Sequence, residues 1–211
     1  MRGQWARGIG GALIGGLVVL LAGCATTEVR PMDLFYTPPP GRAAPVRPVT
    51  VGVAQFTDVR AERRYIGRVY ATTPPVIRYY EMASRPVPRI VAEGVARALE
   101  AAGYRTNVLP DVWNLNPATL QAFWPEVVVG GKVEEFWAET SGDVVTGPLR
   151  VRVRFTVAVA ARTPPRLLWS QTLAAEETAT ATAPYDHDLR LVLTEVFQRL
   201  VDQIPTDLPR P

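Results

Sequence analysis

Alternation of apolar and polar residues predicts five strands in the chain. They cover residues 49–56, 104–109, 126–138, 150–159 and 166–175. The clearest pattern is in the fourth strand, where Val153, Phe155 and Val157 alternate with arginine and threonine. A period of two places successive side chains on opposite faces of a sheet. We therefore expect these three apolar residues in the core and Arg152 and Arg154 on the opposite face.

Two other segments show the period of amphipathic helices. Residues 87–102 begin with prolines that suit a first turn and end before Gly103, which suits a helix C-terminus. Residues 189–201 repeat the pattern, and Pro205 ends it. The order of strand, helix, four strands and helix predicts an α+β fold. We expect a two-layer sandwich, with a mostly antiparallel sheet and two amphipathic helices packed on one face. Short connections favour antiparallel pairing of the last three strands, and the first strand–helix–strand unit leaves room for one parallel pair.

Residues 57–85 show no clean periodicity and predict a long loop rich in arginine and tyrosine. Both residue types are favoured at binding interfaces. The loop is therefore a candidate interaction surface, consisting of Asp58, Arg60, Arg63, Arg64, Arg68, Tyr79 and Tyr80. The alternative is that Asp58 and Arg60 pair with each other to shape the loop, while the other arginines are only solvated. The sequence leaves both interpretations open.

The N-terminal segment has the pattern of an export signal. Arg2 and Arg7 precede a short apolar stretch that ends in Leu21-Ala22-Gly23-Cys24. This ending resembles the lipobox of bacterial lipoproteins, in which cleavage after the glycine leaves the cysteine as a lipidated N-terminus. Cys24 is the only cysteine, so an internal disulfide is excluded. The alternatives are an ordinary signal peptide in which Cys24 is incidental, or an uncleaved N-terminal anchor.

The lipobox implies a location and a domain organisation. By resemblance to lipoproteins, Cys24 carries three acyl chains, palmitate among them. Ala25, where an aspartate would signal retention in the inner membrane, implies the periplasmic face of the outer membrane. We expect a signal peptide over 1–23, the lipidated cysteine and a Pro-rich tether over 24–48, one domain over 49–205, and a tail over 206–211. Leu34, Phe35 and Tyr36 interrupt the tether and dock either on the domain or on a partner.

Charge and residue inventory argue against several functions. Loss of residues 1–23 removes two arginines and leaves 21 basic and 20 acidic residues, so nucleic acid is not expected as a partner. The single histidine, His187, lies between two aspartates at the start of the last helix, which fits an exposed helix N-terminus better than a metal site. No nucleophile elbow, P-loop or dinucleotide fingerprint is present. We therefore expect no metal, no cofactor and no enzymatic activity.

The order of these features resembles YajG-like outer-membrane lipoproteins. From Cys24 to about residue 175, the resemblance consists of the lipobox, the strand VGVAQF followed by TDVR, the later Ile66-Gly67, the helix VARALEAAGY and the strand VVVGGKVEEFW. Asp58, Arg60, Ile66 and Gly67 occupy the positions of that family's D-x-R…I-G signature. Auxiliary lipoproteins of ABC-type lipid-transport systems share the general layout.

The resemblance implies a location and a fold, with no enzymatic activity. We therefore expect a non-catalytic interaction or assembly subunit of the cell envelope, held at the membrane by its lipid and bound to an envelope protein or lipid. The alternative is a lipid- or small-ligand-binding auxiliary of a transport system. An envelope hydrolase is disfavoured by the residue inventory.

Overall fold

A mixed sheet of nine strands and two helices forms the domain in the computed structural model. The structure describes residues 26–40, 45–72, 75–142, 145–205 and 207–208. Gly23 and Cys24, with the rest of the signal, lie outside the described residues. None of the helices in the described part is both long and apolar enough to cross a membrane.

Nine strands and two helices follow one another along the described chain, with longer connections over residues 33–49 and 113–126. The strands are β1 (Thr26–Met32), β2 (Thr50–Gln55), β3 (Thr57–Asp58), β4 (Tyr65–Thr72), β5 (Pro75–Met82), β6 (Arg105–Val112), β7 (Val127–Gly142), β8 (Thr146–Ala161) and β9 (Arg166–Thr182). The helices are α1 (Val87–Ala101) and α2 (Asp186–Asp202), and a 3₁₀ turn covers Pro117–Thr119. Both predicted helices are confirmed. Gly103 follows the end of α1 with a positive φ of 91°, which is typical of a glycine at a helix C-terminus.

The long strand β7 is the centre of the sheet. Along one edge it pairs in parallel with β2, then β3, then β4; along the other edge it pairs antiparallel with β8, which in turn pairs with β9. Strand β5 extends the β4 side antiparallel, and β1 joins β5 in parallel at the edge. Strand β6 pairs in parallel with β2, on the edge of β2 that faces away from β7.

The α+β class is confirmed, but the expectation of a mostly antiparallel sheet is wrong. Five of the eight strand pairings are parallel. The cause is that α1 carries the chain back across the sheet before β6, and residues 113–126 carry it back again before β7, so both strands run in the same direction as β2. The last three strands are joined by short turns and are antiparallel, as predicted.

The expectation of a loop over residues 57–85 is also wrong, because β3, β4 and β5 lie there. A β-bulge between Tyr65 and Gly67 shifts the register of the β4–β5 pair. A bulge adds one residue to one strand and so interrupts the period of two. The outward face of β4 also carries an aromatic residue, Tyr70, which is 45% exposed, so apolar residues occur on both faces of the strand. The segment therefore lacks the clean alternation on which strand prediction depends.

The structure differs as well from the tether expected over 24–48. Residues Thr26–Met32 form β1, and Leu34 and Tyr36 are 1% and 2% exposed in the core. The expected docking of this segment on the domain is therefore confirmed for these two side chains, while Phe35 stays half-exposed. Pro31 lies within β1, which an edge strand tolerates because one side of its backbone needs no donor.

Both helices pack on the same face of the sheet. A Cβ on Gly94 of α1 would lie 2.9 Å from the ring of Phe197 on α2, so the missing side chain allows this close approach. Phe197 also contacts Phe136 of β7 edge to face, with ring centroids 5.8 Å apart. Val153 and Phe155 of β8 are completely buried on this face, as predicted.

A second, smaller apolar cluster covers part of the opposite face. Trp113 and Trp124, from the segment between β6 and β7, pack there on Ala54, Val128 and Ala158. The remaining half of this face is formed by β4, β5 and the distal parts of β7, β8 and β9, and neither of the helices in the described part of the chain lies over it.

The orientation of β8 is tested by a pair of neighbouring substitutions. Phe155→Ala removes a fully buried ring and should reduce the free energy of unfolding by about 3–5 kcal/mol. Arg154→Ala removes an exposed side chain and should cost under about 1 kcal/mol. Urea unfolding followed by circular dichroism measures both, and equal small losses would contradict the assigned orientation.

Candidate functional site

Asp58, the last residue of β3, and Arg60 form a bidentate ion pair. Arg60 Nε donates to Asp58 Oδ1 at 2.9 Å, and Arg60 Nη2 donates to Asp58 Oδ2 at 2.8 Å. Arg60 is only 4% exposed, so its guanidinium is not available to a partner. A planar guanidinium fits a carboxylate in this way with both oxygens engaged.

The same guanidinium also holds the following loop. Arg60 Nη2 donates to the Arg63 carbonyl at 2.8 Å, and Nη1 donates to the Tyr65 carbonyl at 3.3 Å. Glu62 Oε1 accepts a hydrogen bond from the Arg64 backbone N–H at 2.8 Å. Of the two interpretations left open by the sequence, the structure therefore shows the shaping role for Asp58 and Arg60, which together determine the path of the chain into β4.

Tyr79 and Tyr80 are adjacent on β5 and therefore point to opposite faces of the sheet. Tyr80 is 1% exposed on the helix side, where its hydroxyl donates to Asp186 at the start of α2. Burial, and then the hydrogen bond to Asp186, raises the pKa of the Tyr80 hydroxyl. Tyr80 is therefore a core residue, whereas Tyr79 lies on the outer face.

Asp186 belongs to a cluster of charges that joins three elements. Arg30 of β1 donates to Asp186 and, through Nε, to Glu28 Oε1 at 2.9 Å. Arg78 of β5 donates to Glu28 Oε2 at 2.7 Å and to Asp186 Oδ1 at 3.4 Å. Hydrogen bonds from Arg78 and then Arg30 lower the pKa of the Glu28 carboxyl. We call Glu28, Arg30, Arg78 and Asp186 the β1 charge cluster; it ties the first strand to β5 and α2.

On the outer face, a cation and two aromatic rings form a continuous stack. The Arg64 guanidinium lies 5.0 Å from the centroid of the Tyr65 ring. The Tyr65 and Tyr79 rings lie 4.6 Å apart at an angle of 27°. The Arg64 side chain is 69% exposed and lies 3.8 Å from Glu81. The stack therefore links the loop to the outer side of β5.

Beside this stack, a groove of about 470 Å³ crosses the uncovered half of the sheet. Tyr70, Ile77, Tyr79 and Pro148 contribute apolar surface, and Tyr70 is 45% exposed. The other lining residues are Arg68, Glu139, Thr140, Ser141, Arg150 and Thr178. We call this the outer groove. It lies across β4, β5, β7, β8 and β9.

The charges of the outer groove are largely paired within the chain. Glu139 Oε2 accepts two hydrogen bonds, one from Arg68 Nη2 at 3.2 Å and one from Trp137 Nε1 at 3.3 Å. Arg150 lies 3.2 Å from Glu176 across the β8–β9 pair. These pairs are half-exposed, so each contributes little to stability. Because these charges are paired, the groove has no strong excess of either charge, and most of its surface is aromatic or aliphatic.

His187 and its neighbours do not form a reactive cluster in the described structure. His187 is exposed on the first turn of α2. Asp186 belongs to the β1 charge cluster, and Asp188 Oδ2 accepts from the Thr182 backbone N–H at 2.7 Å. Among the described residues, no group of three or more histidine, cysteine, aspartate or glutamate side chains is placed to hold a metal ion.

The structure thus separates the residues predicted as one surface. Asp58 and Arg60 shape the loop, Tyr80 lies in the core, and Arg63 lies on the loop with its Nε 3.3 Å from the Arg60 carbonyl. Three of the predicted residues lie together on the outer face, namely Arg64, Arg68 and Tyr79. Sequence reasoning missed three residues that line the outer groove beside them, Tyr70, Ile77 and Glu139. A signal for Tyr70 and Ile77 was present in the sequence: Arg68 and Tyr70, and likewise Ile77 and Tyr79, are two residues apart, which places each pair on one face of a strand.

Comparison with known proteins gives limited information. No family model matches the chain, and no curated protein matches it. Among solved structures, protein XCC0632 of family DUF330 from Xanthomonas campestris is similar at 14% identity with a TM-score of 0.47, covering 87% of this chain and 91% of that one. PelC from Paraburkholderia phytofirmans, a dodecamer, has 15% identity and a TM-score of 0.41, covering 86% and 98%. Lipoprotein GNA1162 from Neisseria meningitidis has 13% identity and a TM-score of 0.36, covering 74% and 100%.

At these identities and TM-scores, the similarities establish neither a family nor a function for this chain. One of the similar proteins is itself a lipoprotein. None confirms the resemblance to YajG-like lipoproteins, which stays a prediction.

The shaping role of Arg60 is tested against its neighbour Arg63. Arg60→Ala leaves the Asp58 carboxylate and two loop carbonyls without their buried donor, and should lower the free energy of unfolding by about 3 kcal/mol. Arg63→Ala removes an exposed side chain and should change it by under about 0.5 kcal/mol. Arg60→Lys should not restore stability, because an ammonium cannot make the bidentate contact. Urea unfolding measures all three, and a harmless Arg60→Ala would contradict the role.

Proposed function

We propose that this protein is a lipoprotein of the outer membrane, anchored through acyl chains on Cys24 and facing the periplasm. In this proposal the domain acts without catalysis, as an interaction or assembly subunit of the envelope that binds a partner protein in the outer groove. The observation that carries the proposal is the groove itself, where the stack of Arg64, Tyr65 and Tyr79 lies beside an uncovered apolar surface.

The composition of this surface favours a protein partner. Tyrosine and arginine are enriched at the energetically dominant positions of protein interfaces, and tyrosine gives a large contact area with few rotatable bonds. Tyr65, Tyr70 and Tyr79 supply that area on adjacent strands. The stacking of Tyr65 on Tyr79 holds both rings in place before binding, which reduces the entropy lost on association.

The proposal of no catalysis is supported by how the polar groups of the groove are engaged. Glu139 is the carboxylate that a general base would require, and it is held by Arg68 and Trp137. The groove hydroxyls of Ser141 and Thr178 lie on strands, and the strand pattern brings no histidine beside them.

A second candidate function is an auxiliary lipoprotein of an ABC-type transport system that binds a lipid or another small amphiphile. The observation that favours it is the size and shape of the outer groove. Its volume of about 470 Å³ falls within the range of small-molecule sites. Tyr70, Ile77 and Pro148 would contact an acyl chain, while Arg68 and Arg150 could bind an anionic head.

Native mass spectrometry of the protein, released from membranes with a mild detergent, separates the two functions. A co-purified protein supports the interaction subunit, and a bound phospholipid supports the auxiliary. A bare monomer that binds neither would contradict both. Adjacent genes for an ATPase and a permease would favour the transport role.

The lipid anchor is tested by Cys24→Ser. Because the serine hydroxyl does not accept the diacylglycerol, we expect labelling with radioactive palmitate to be lost and cleavage after Gly23 to be blocked. The protein should then accumulate as an unprocessed form, which is measured by gel mobility and by the mass of the N-terminal peptide. A lipid-labelled mature band from Cys24→Ser would rule out the anchor.

The outer groove is tested by photo-crosslinking in cells. A benzoylphenylalanine at Tyr70, which is 45% exposed in the groove, should give a discrete adduct with a partner protein. The same group at Leu191, which is 54% exposed on α2, is the matched control and should not. Adding Tyr79→Ala to the Tyr70 probe should reduce the adduct at least fivefold without loss of folding. Equal adducts at both positions would contradict the groove as the binding surface.

A further inference from the structure

The folded domain begins very close to the proposed lipid anchor. Strand β1 starts at Thr26, two residues after Cys24. An extended chain reaches at most about 3.6 Å per residue, so the Cα atoms of Cys24 and Thr26 are at most about 7 Å apart. Acyl chains on Cys24 lie in the bilayer, and the end of the sheet at which β1 starts must then lie at the headgroups.

Several strand ends meet at this side of the domain. Thr26 pairs with Val76 near the start of β5, Thr72 at the end of β4 pairs with Pro75, and Gly142 at the end of β7 pairs with Ala71. Across the β8–β9 hairpin, Thr146 pairs with Thr182. We define the anchor rim as the described residues at these ends: Thr26–Thr27, Ala71–Thr72, Pro75–Val76, Ser141–Gly142, Val145–Gly147 and Ala181–Ala183.

We infer that the anchor rim docks on the phospholipid headgroups, with the long strands leading away from the membrane. The inference rests on the lipid anchor of the proposed function and adds the orientation of the domain. The rim faces a phospholipid surface because Cys24, whose acyl chains lie in that surface, is no more than about 7 Å from Thr26 of the rim.

The first strand is held to the rest of the domain because it pairs with β5 over its whole length, Leu34 just after it is buried in the core, and the β1 charge cluster links it to α2. Arg30 donates to Glu28 and to Asp186 of α2, while Arg78 of β5 donates to the same two carboxylates. Farther along the segment, Tyr36 is buried and its hydroxyl donates to Asp202 at 2.7 Å. The position of the anchor therefore determines the position of the whole sheet.

The chemistry of the anchor rim suits a headgroup surface. Its described residues are threonine, alanine, proline, valine, serine and glycine, so none carries a charge. Val145 is 66% exposed there. A rim with carboxylates would be repelled by anionic headgroups, and burying any unpaired charge would be unfavourable. The described residues of the rim meet neither cost; Asp143, which follows Gly142 in the sequence, lies outside the described residues.

The orientation places the outer groove next to the membrane. Tyr70 and Ile77 are each one residue from the anchor rim on β4 and β5, and Ser141 of the rim lines the groove. At the opposite end of the domain, the β8–β9 turn lies one full length of β8 away. Strand β8 has 16 residues, which at about 3.3 Å per residue is roughly 50 Å.

Two exposed positions at the ends of β8 test the orientation. Val145→Cys lies in the anchor rim and Arg166→Cys lies at the distal turn; each adds a single free thiol, since the Cys24 sulfur carries the lipid. The full lipidated chain is labelled with bimane and reconstituted into vesicles of phosphatidylethanolamine and phosphatidylglycerol that contain a lipid with a nitroxide headgroup. We expect quenching at residue 145 to be at least fivefold stronger than at residue 166. Equal quenching, or stronger quenching at residue 166, would overturn the orientation.

The short link is tested by inserting ten glycine and serine residues between Ala25 and Thr26. A flexible chain of this length spans about 17 Å on average, so the rim is released from the headgroups. Quenching at residue 145 should fall by at least half, and unchanged quenching would overturn the short link as its cause.

The mass of the N-terminal peptide distinguishes the two possible failures. An unacylated Cys24 would overturn the anchor and the orientation together. An acylated Cys24 with equal quenching at both labelled positions would overturn the orientation alone. Thermal unfolding checks that each labelled variant keeps the fold.

Discussion

The pairing of β7 with the strands on both of its edges is the interaction on which the rest of the structure depends. One edge is shared in sequence by β2, β3 and β4, and the other is occupied by β8. This arrangement requires backbones to approach closely. A Cβ on Gly131 would lie 2.1 Å from the Thr156 carbonyl oxygen and 2.3 Å from the Phe56 ring, and one on Gly67 would lie 2.4 Å from the Ala138 carbonyl oxygen. Larger residues at either glycine would force the strands apart.

The length of β7 also explains why the candidate site exists. Strand β2 flanks the first part of β7, with β6 beyond it, and there the Trp113 and Trp124 cluster covers the outer face. Farther along β7 the neighbour is β4, and no segment in the described part returns over it. The helices bury only the inner face of this extension. The outer groove is therefore the surface left open where a long sheet extends beyond the segments that cover it.

Local features account for what could be predicted from the sequence. The helices, the antiparallel hairpins and the inward face of β8 follow from periodicity within single segments, and Val153 and Phe155 lie where that periodicity predicts. Parallel pairing, the β1 strand and the composition of the outer groove depend on residues far apart in sequence. Arg30 and Asp186 are 156 residues apart, and no local pattern connects them. Asp186 could be read only as an acidic residue at a helix N-terminus, a role that it also has.

The candidate surface illustrates the same limit more sharply. A loop rich in arginine and tyrosine suggests a single binding patch, but a strand divides neighbouring residues between two faces. Tyr79 stacks on Tyr65 on the outer face and is half-buried, while Tyr80, its neighbour in the chain, is buried against α2. Arg60 and Arg64 belong to the same short loop, yet Arg60 is enclosed and Arg64 is exposed. Residue type alone therefore indicated the segment, and the bulge between Tyr65 and Gly67 together with the Asp58–Arg60 pair determines which of its side chains are exposed on the outer face.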